Sequence, residues 1–147
     1  MIVWRLCRRP HADLSGEGGR LFSGRWHGAG RPVVYTADSP ALAILEVRVH
    51  LDLPYELIPE DYAIMEIDLG VLAPEVLTGP PEHPREFGNT WLAEKRSAVL
   101  RVPSVIAPRG HNFLINPLHP QAASVAICSI EDFRFDARLW NPGSRSG

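Results

Sequence analysis

The chain has 147 residues, 45% of them apolar and 22% charged, with 15 basic against 17 acidic side chains for a formal net charge of −2. That length suits one domain able to bury its own core without metal or disulfide staples. The charge balance is wrong for a non-specific nucleic-acid binder, which needs a basic excess, and no apolar run reaches the roughly 18–20 residues of a membrane span.

Fourteen prolines and twelve glycines divide the chain into short elements. Met1-Ile2-Val3-Trp4-Arg5 begins without a secretory leader pattern, so the cytoplasm is the expected compartment. Ile2–Leu6 reads as a strand and Pro10–Gly19 as a polar, glycine-rich loop. Within the first 31 residues, Arg5, Arg8, Arg9, Arg20, Arg25 and Arg31 face only Asp13 and Glu17, which predicts a local anion site. Pro32–Thr36 reads as a second strand. Ser39-Pro40 then starts a helix to about His50, because serine caps free amides and proline suits the first turn. The alternation of Tyr62–Leu69 predicts a strand with Ala63, Met65, Ile67 and Leu69 on one face. A second helix is expected over Thr90–Leu100, then strands at Val102–Ala107, His111–Ile115, Ser124–Ile130 and Asp132–Asp136. Cys7 and Cys128 lack metal-site spacing and read as buried thiols in a reducing compartment. The pattern is mixed α+β and not alternating βαβ.

Three polar residues stand in unusual places. Glu46 shares a helix face with Leu42 and Val49 in a run with no other charge, Ala41 to Val47. A carboxylate there is costly unless it is paired or placed at the edge of a cleft. Pairing with Arg48 or His50 and a role in a site stay open alternatives on spacing alone. Arg25 lies between Gly24 and Gly28, where a guanidinium fork suits a phosphate; an ordinary surface arginine is the plainer reading. Tyr35 lies near a strand end that leads into a helix, a usual address for binding groups, although tyrosines in strands are most often core. Gly16-Glu17-Gly18-Gly19 lacks the spacing of a dinucleotide-binding GxGxxG turn, which argues against a dehydrogenase.

Leu21-Phe22-Ser23-Gly24-Arg25-Trp26, Arg31 to Pro40, Ala43-Ile44-Leu45-Glu46, Val102-Pro103-Ser104 and Asn112 to Pro120 follow in the order found in RES-domain proteins. From Trp4 to about Leu139 the chain resembles that family. Its arginine, glutamate and serine map onto Arg25, Glu46 and Ser104. The resemblance implies a single α+β domain over residues 1–140, with a tail at 141–147 that is either disordered or left from cloning. It implies a split mixed and antiparallel β core with short helices, similar to diphtheria-toxin-like ADP-ribosyltransferases. The implied function is the toxin of a bacterial type II toxin–antitoxin pair that cleaves the nicotinamide–ribose bond of NAD+ and transfers ADP-ribose to a protein, arresting growth. NAD+ glycohydrolysis or phosphorolysis without a protein target is one alternative, and a non-catalytic nucleotide-binding module is another. A glycoside hydrolase would need a second acid near Glu46, and no spacing supports Glu66 or Asp68 in that role.

Under this resemblance Glu46 stabilises the oxocarbenium-like ribose. Arg25 holds the pyrophosphate or the ribose and nicotinamide beside it, and Tyr35 stacks on the nicotinamide. Ser104 and Asn116 supply neutral hydrogen bonds, and His119 orients substrate or acts on the acceptor. NAD+ is a consumed substrate, and no metal is expected. The implied partners are an Xre-type helix-turn-helix antitoxin and a protein acceptor, with neither nucleic acid nor membrane.

Overall fold

The computed structural model describes residues 1–141. Of the tail expected at 141–147, residues 142–147 lie outside the described residues. Seven strands, β1 (Ile2–Arg8), β2 (Val34–Ala37), β3 (Tyr62–Asp68), β4 (Glu75–Val76), β5 (Val99–Pro103), β6 (His111–Ile115) and β7 (Ala126–Phe133), form one sheet in the order β4-β5-β6-β2-β1-β3-β7. All neighbours are antiparallel except β4 and β5. Three α-helices join them: α1 (Glu17–Leu21), α2 (Pro40–Arg48) and α3 (Pro84–Glu94). Among the described residues no helix is long and apolar enough to cross a membrane. The fold is the mixed α+β domain expected.

Alternation sets the sheet's burial. Along β3, Ala63, Met65 and Ile67 are fully buried, whereas Ile64, Glu66 and Asp68 are half-covered. β3 pairs along its whole length with β1 and, through a register shift, with β7. The contact between β1 and β2 is different, because the two share one register pair, Trp4 with Ala37. At that point the sheet opens into a β4-β5-β6-β2 part and a β1-β3-β7 part. One core cluster, with Val3, Val34, Met65 and Phe113, spans both parts on one face. The other face carries two clusters, one around Leu6, Leu42 and Tyr62 with α2, the other around Trp26, Trp91 and Leu114 with α3.

α2 starts as its sequence dictates: the Ser39 hydroxyl accepts the Leu42 N–H at 3.1 Å and Pro40 occupies the first turn. Its buried face differs from the apolar stripe of Leu42, Leu45 and Val49 expected at helical spacing. Leu42 and Ala43 are buried, but Leu45 and Val49 are exposed. The helix expected over Thr90–Leu100 lies earlier, at Pro84–Glu94, with Pro84 at its start and Lys95 closing it in the left-handed region at φ 50°. Val99 and Leu100 instead enter β5, where Pro103 ends the strand and residues 104–107 turn away. The two last strands expected are one continuous β7. Opposite its register shift, Glu66 pairs with Ser129 and Ile67 with Ile127, which leaves Cys128 as the extra residue of a bulge. Cys128 is therefore exposed and Cys7 half-buried, so neither is the fully buried thiol expected.

Candidate active site

The opening of the sheet between β1 and β2 leads into a cleft of about 1310 Å3. Trp4 and Leu6 of β1, Tyr35 and Ala37 of β2 and Asn112 of β6 contribute to its floor. One wall is α2, through Ala43, Glu46, Val47 and, just past its end, His50. Residues at these spacings share a helix face. The opposite wall is the 22–28 loop with the first turn of α3. Arg25, Tyr35 and Glu46, from three separate segments, thus line the same cleft.

α3 fixes the loop that carries Arg25. Arg85 donates from Nε and Nη2 to the Gly24 carbonyl at 3.2 and 3.1 Å, and the Asn89 side-chain oxygen accepts the Gly28 N–H at 2.9 Å. Gly88 lies so close to the loop that a Cβ there would be 1.6 Å from the Trp26 carbonyl oxygen. Gly24 is also constrained, though less severely, since its Cβ would meet the Tyr35 hydroxyl at 2.7 Å.

The arginine-rich start of the chain is mostly spent within the protein. Arg8, Arg9 and Arg20 pair with Asp61, Asp132 and Glu17, and Arg5 donates to the backbone carbonyls of His11 and Asp13. Arg25 is exposed, lies 5.9 Å from the centre of the Trp26 ring and makes no hydrogen bond to another described residue. It is the arginine of this group left free at the cleft to meet an anion.

Tyr35 is the opposite case. Its hydroxyl accepts the Trp26 N–H at 3.1 Å and lies 2.7 Å from Nδ1 of His27. Burial pushes its pKa up from 10.0 to about 12, with the Trp26 hydrogen bond and Arg85 acting in the other direction. The phenol is neutral across the physiological range, so its ring is what it offers a ligand.

Glu46 is half-buried and forms no ion pair among the described residues. Arg48, its possible partner, donates instead to the Leu139 and Leu51 carbonyls and stacks 3.9 Å from the Trp140 ring centre. The contact Glu46 does make is with Ser104, whose hydroxyl donates to Oε1 at 3.3 Å. That hydroxyl accepts the N–H groups of Ile106 and Ala107, both at 3.1 Å. Those two amides leave the Ser104 proton to point at the carboxylate. Ser104 therefore reaches the site through Glu46.

Asn116 and His119 are not brought to the cleft. Asn116 is buried, donating to the Leu92 carbonyl at 3.2 Å and accepting the Leu118 N–H at 3.1 Å. Both ends of its amide are thus used in holding the turn after β6 against the end of α3. His119 caps the following 3-10 turn, its Nδ1 accepting the Gln121 N–H at 3.0 Å. Neither side chain therefore lines the cleft. Conversely, His27, Arg85, Asn89 and Asn112 belong to the cleft although spacing had not singled them out. No cluster of three potential metal ligands occurs among the described residues.

Comparisons with known proteins agree with this architecture. The RES domain model matches residues 2–136. The chain is 45% identical over 148 residues to Toxin Res of Pseudomonas putida, covering 95% of this chain and all of that relative. It is 36% identical over 141 residues to a Sphingobium protein named Prs ADP-ribosylating toxin, covering 86% of each. A solved structure of the M. tuberculosis MbcT–MbcA toxin–antitoxin complex superimposes with a TM-score of 0.73 over 96% of this chain and 87% of that one. At 20% identity that likeness speaks for the fold. On the strength of the match from residue 2 to residue 136 and of these relatives, the chain belongs to the RES-domain family.

Proposed function

We propose that this chain is the toxin of a bacterial toxin–antitoxin pair, which cleaves the nicotinamide–ribose bond of NAD+ and transfers ADP-ribose to a protein, arresting growth. The observation that carries the reading is the convergence of Arg25, Tyr35 and an unpaired Glu46 on one cleft. The names of the relatives, Toxin Res and Prs ADP-ribosylating toxin, support it.

The roles follow from how each group is held. A cleft of about 1310 Å3 exceeds the roughly 300–1,000 Å3 of ordinary small-molecule pockets and suits an extended dinucleotide. Arg25, which makes no hydrogen bond to another described residue, supplies the fork for the pyrophosphate. Tyr35, its hydroxyl already engaged, presents its ring to the nicotinamide. Nicotinamide leaves as a neutral base and positive charge develops on the ribose. Glu46 counters that charge without forming a bond of its own, and Ser104 holds the carboxylate ready for it. ADP-ribose then passes to a nucleophile of the acceptor protein, or to water or phosphate where no acceptor is bound.

The antitoxin in this reading is a helix-turn-helix protein of the Xre type that inserts a carboxylate-bearing segment toward Arg25 and blocks NAD+ entry. The test of the activity is nicotinamide release from NAD+ by the purified chain and by Glu46→Gln. Mass spectrometry of a lysate follows the acceptor: mass-shifted protein supports transfer, and free ADP-ribose alone replaces it with hydrolysis.

A further inference from the structure

His27 is 1% exposed and follows directly on the Arg25-Trp26 pair. Its Nε2 lies 2.7 Å from the Gly19 carbonyl and its Nδ1 lies 2.7 Å from the Tyr35 hydroxyl. A carbonyl oxygen can only accept, so Nε2 carries a hydrogen. In the neutral ring Nδ1 is then an acceptor, and the Tyr35 hydroxyl must donate to it. The same hydroxyl oxygen accepts the Trp26 N–H. The result is a single directed chain, from the Trp26 amide to Tyr35, on to Nδ1 of His27, and from Nε2 to α1 through Gly19. Every polar atom in it is satisfied, and with the ring neutral no direction can be reversed while Gly19 remains the end acceptor.

This arrangement reaches beyond the stability of the loop. Tyr35 is anchored in β2 at its backbone, but its ring tip would be free to tilt without a fixed partner at the hydroxyl. Gly24 and His27 close that freedom from the loop side: a Cβ on Gly24 would already sit 2.7 Å from the Tyr35 hydroxyl and 3.2 Å from Cε1 of His27. The imidazole and phenol rings are tilted at 47° with centroids 5.4 Å apart. Together with the Trp26 amide, the histidine thus sets where the tyrosine ring stands in the cleft, and it does so from the loop that carries Arg25.

We propose that His27 is a positioning residue for nicotinamide departure, acting through the Tyr35 hydroxyl to hold the tyrosine ring against the leaving group. The proposal rests on the NAD+ reading given above. It makes a demand on the two nitrogens separately. Asparagine places an oxygen where Nδ1 was and can still accept from Tyr35. Glutamine places its amide nitrogen where Nε2 was and keeps the bond to Gly19 without a good acceptor for Tyr35.

The experiment measures kcat and KM for nicotinamide release, with thermal midpoints alongside, for His27→Asn and His27→Gln in the wild-type and Tyr35→Phe backgrounds. His27→Gln should lower kcat roughly tenfold with KM changed less than about threefold, since misplacement of the leaving group is lost orientation. His27→Asn should recover most of that loss whatever its thermal midpoint. In the Tyr35→Phe background, which already lacks the hydroxyl, His27→Gln should cost no further kcat. Equal losses for Asn and Gln, or losses that multiply in the Tyr35→Phe background, overturn the proposal while leaving the NAD+ reading intact. A wild-type chain that releases no nicotinamide overturns both. Should His27→Gln fail to fold, the imidazole 15N shifts of the wild-type chain decide. A proton on Nε2 and an accepting Nδ1 are expected, and a proton on Nδ1 overturns the proposal.

Discussion

Tyr35 gives the site a signature that can be read without substrate. Its folded pKa of about 12 lies above its ordinary value of 10.0 because burial disfavours the phenolate. For a group raised in this way, the stabilising contribution is complete below the unfolded pKa and is lost as the pH climbs through the folded one. The loss falls mainly between about pH 10 and pH 12 and amounts to roughly 2–3 kcal/mol by the top of that window. Tyr35→Phe should be less stable at neutral pH by about 1–3 kcal/mol, because the Trp26 amide and His27 Nδ1 lose their partner. It should also lack that share of the alkaline decline. Urea denaturation of both proteins at several pH values checks this, and parallel declines would show that the phenol is not buried as described. Single residues were unevenly legible in the sequence. Glu46 stood out because a charge in an apolar helical run demands a reason, and its reason is the cleft edge. Asn116 and His119 lie away from the cleft, and spacing cannot show this because a buried Asx turn and a capping histidine use the same residue types as a binding site. His27, flanked by Trp26 and Gly28, gave no sign of burial, since its partners Gly19 and Tyr35 come together only through the fold of the loop.

Among the elements, α3 matters most for the site because it clamps the loop that carries Arg25. Gly88 is the closest point of that clamp. Alanine at a helical position ordinarily gains about 1 kcal/mol over glycine, but here the new Cβ would lie 1.6 Å from the Trp26 carbonyl. Overpacking of this kind costs about 1–3 kcal/mol or more, so Gly88→Ala should be destabilising on balance. It should also shift the Arg25 loop, weakening ADP-ribose binding as measured by calorimetry. A more stable Gly88→Ala protein with unchanged binding would remove α3 from the account. The elements that were legible in sequence have strong local signals: the alternation of β3, the compact β6, and the Ser39-Pro40 start of α2. α3 lies earlier than the expected Thr90–Leu100 because Pro84 starts it, and Asn89, inside the helix, is the acceptor for Gly28. The boundary between α3 and β5 depends on Lys95 adopting a left-handed conformation, which a lysine does not announce.

At the scale of the molecule, the cleft exists because β1 and β2 share only the pair of Trp4 with Ala37. Two core clusters lie on that face, one with α2 and the other with α3, and the cleft runs between them. Glu46 comes from the first side and Arg25 from the second, so the site is built across the opening. No spacing rule along the chain can express that, although the resemblance to RES-domain proteins carried it. Exposed Phe22, Val49 and Val105 also line this cleft, at 71%, 53% and 62% exposure. An antitoxin that covers the cleft should therefore slow amide hydrogen exchange in residues 22–28 and at the end of α2. Protection restricted to the β7 edge would contradict occlusion. The central claim is that Glu46 stabilises the ribose cation formed from NAD+, and nicotinamide release by the purified wild-type chain and by Glu46→Gln, followed with thermal midpoints and NAD+ affinity, tests it most directly. The account predicts that the variant folds, binds NAD+ within a few-fold of wild type and turns over about 10²–10³ times more slowly; a folded Glu46→Gln protein that releases nicotinamide at the wild-type rate would contradict it.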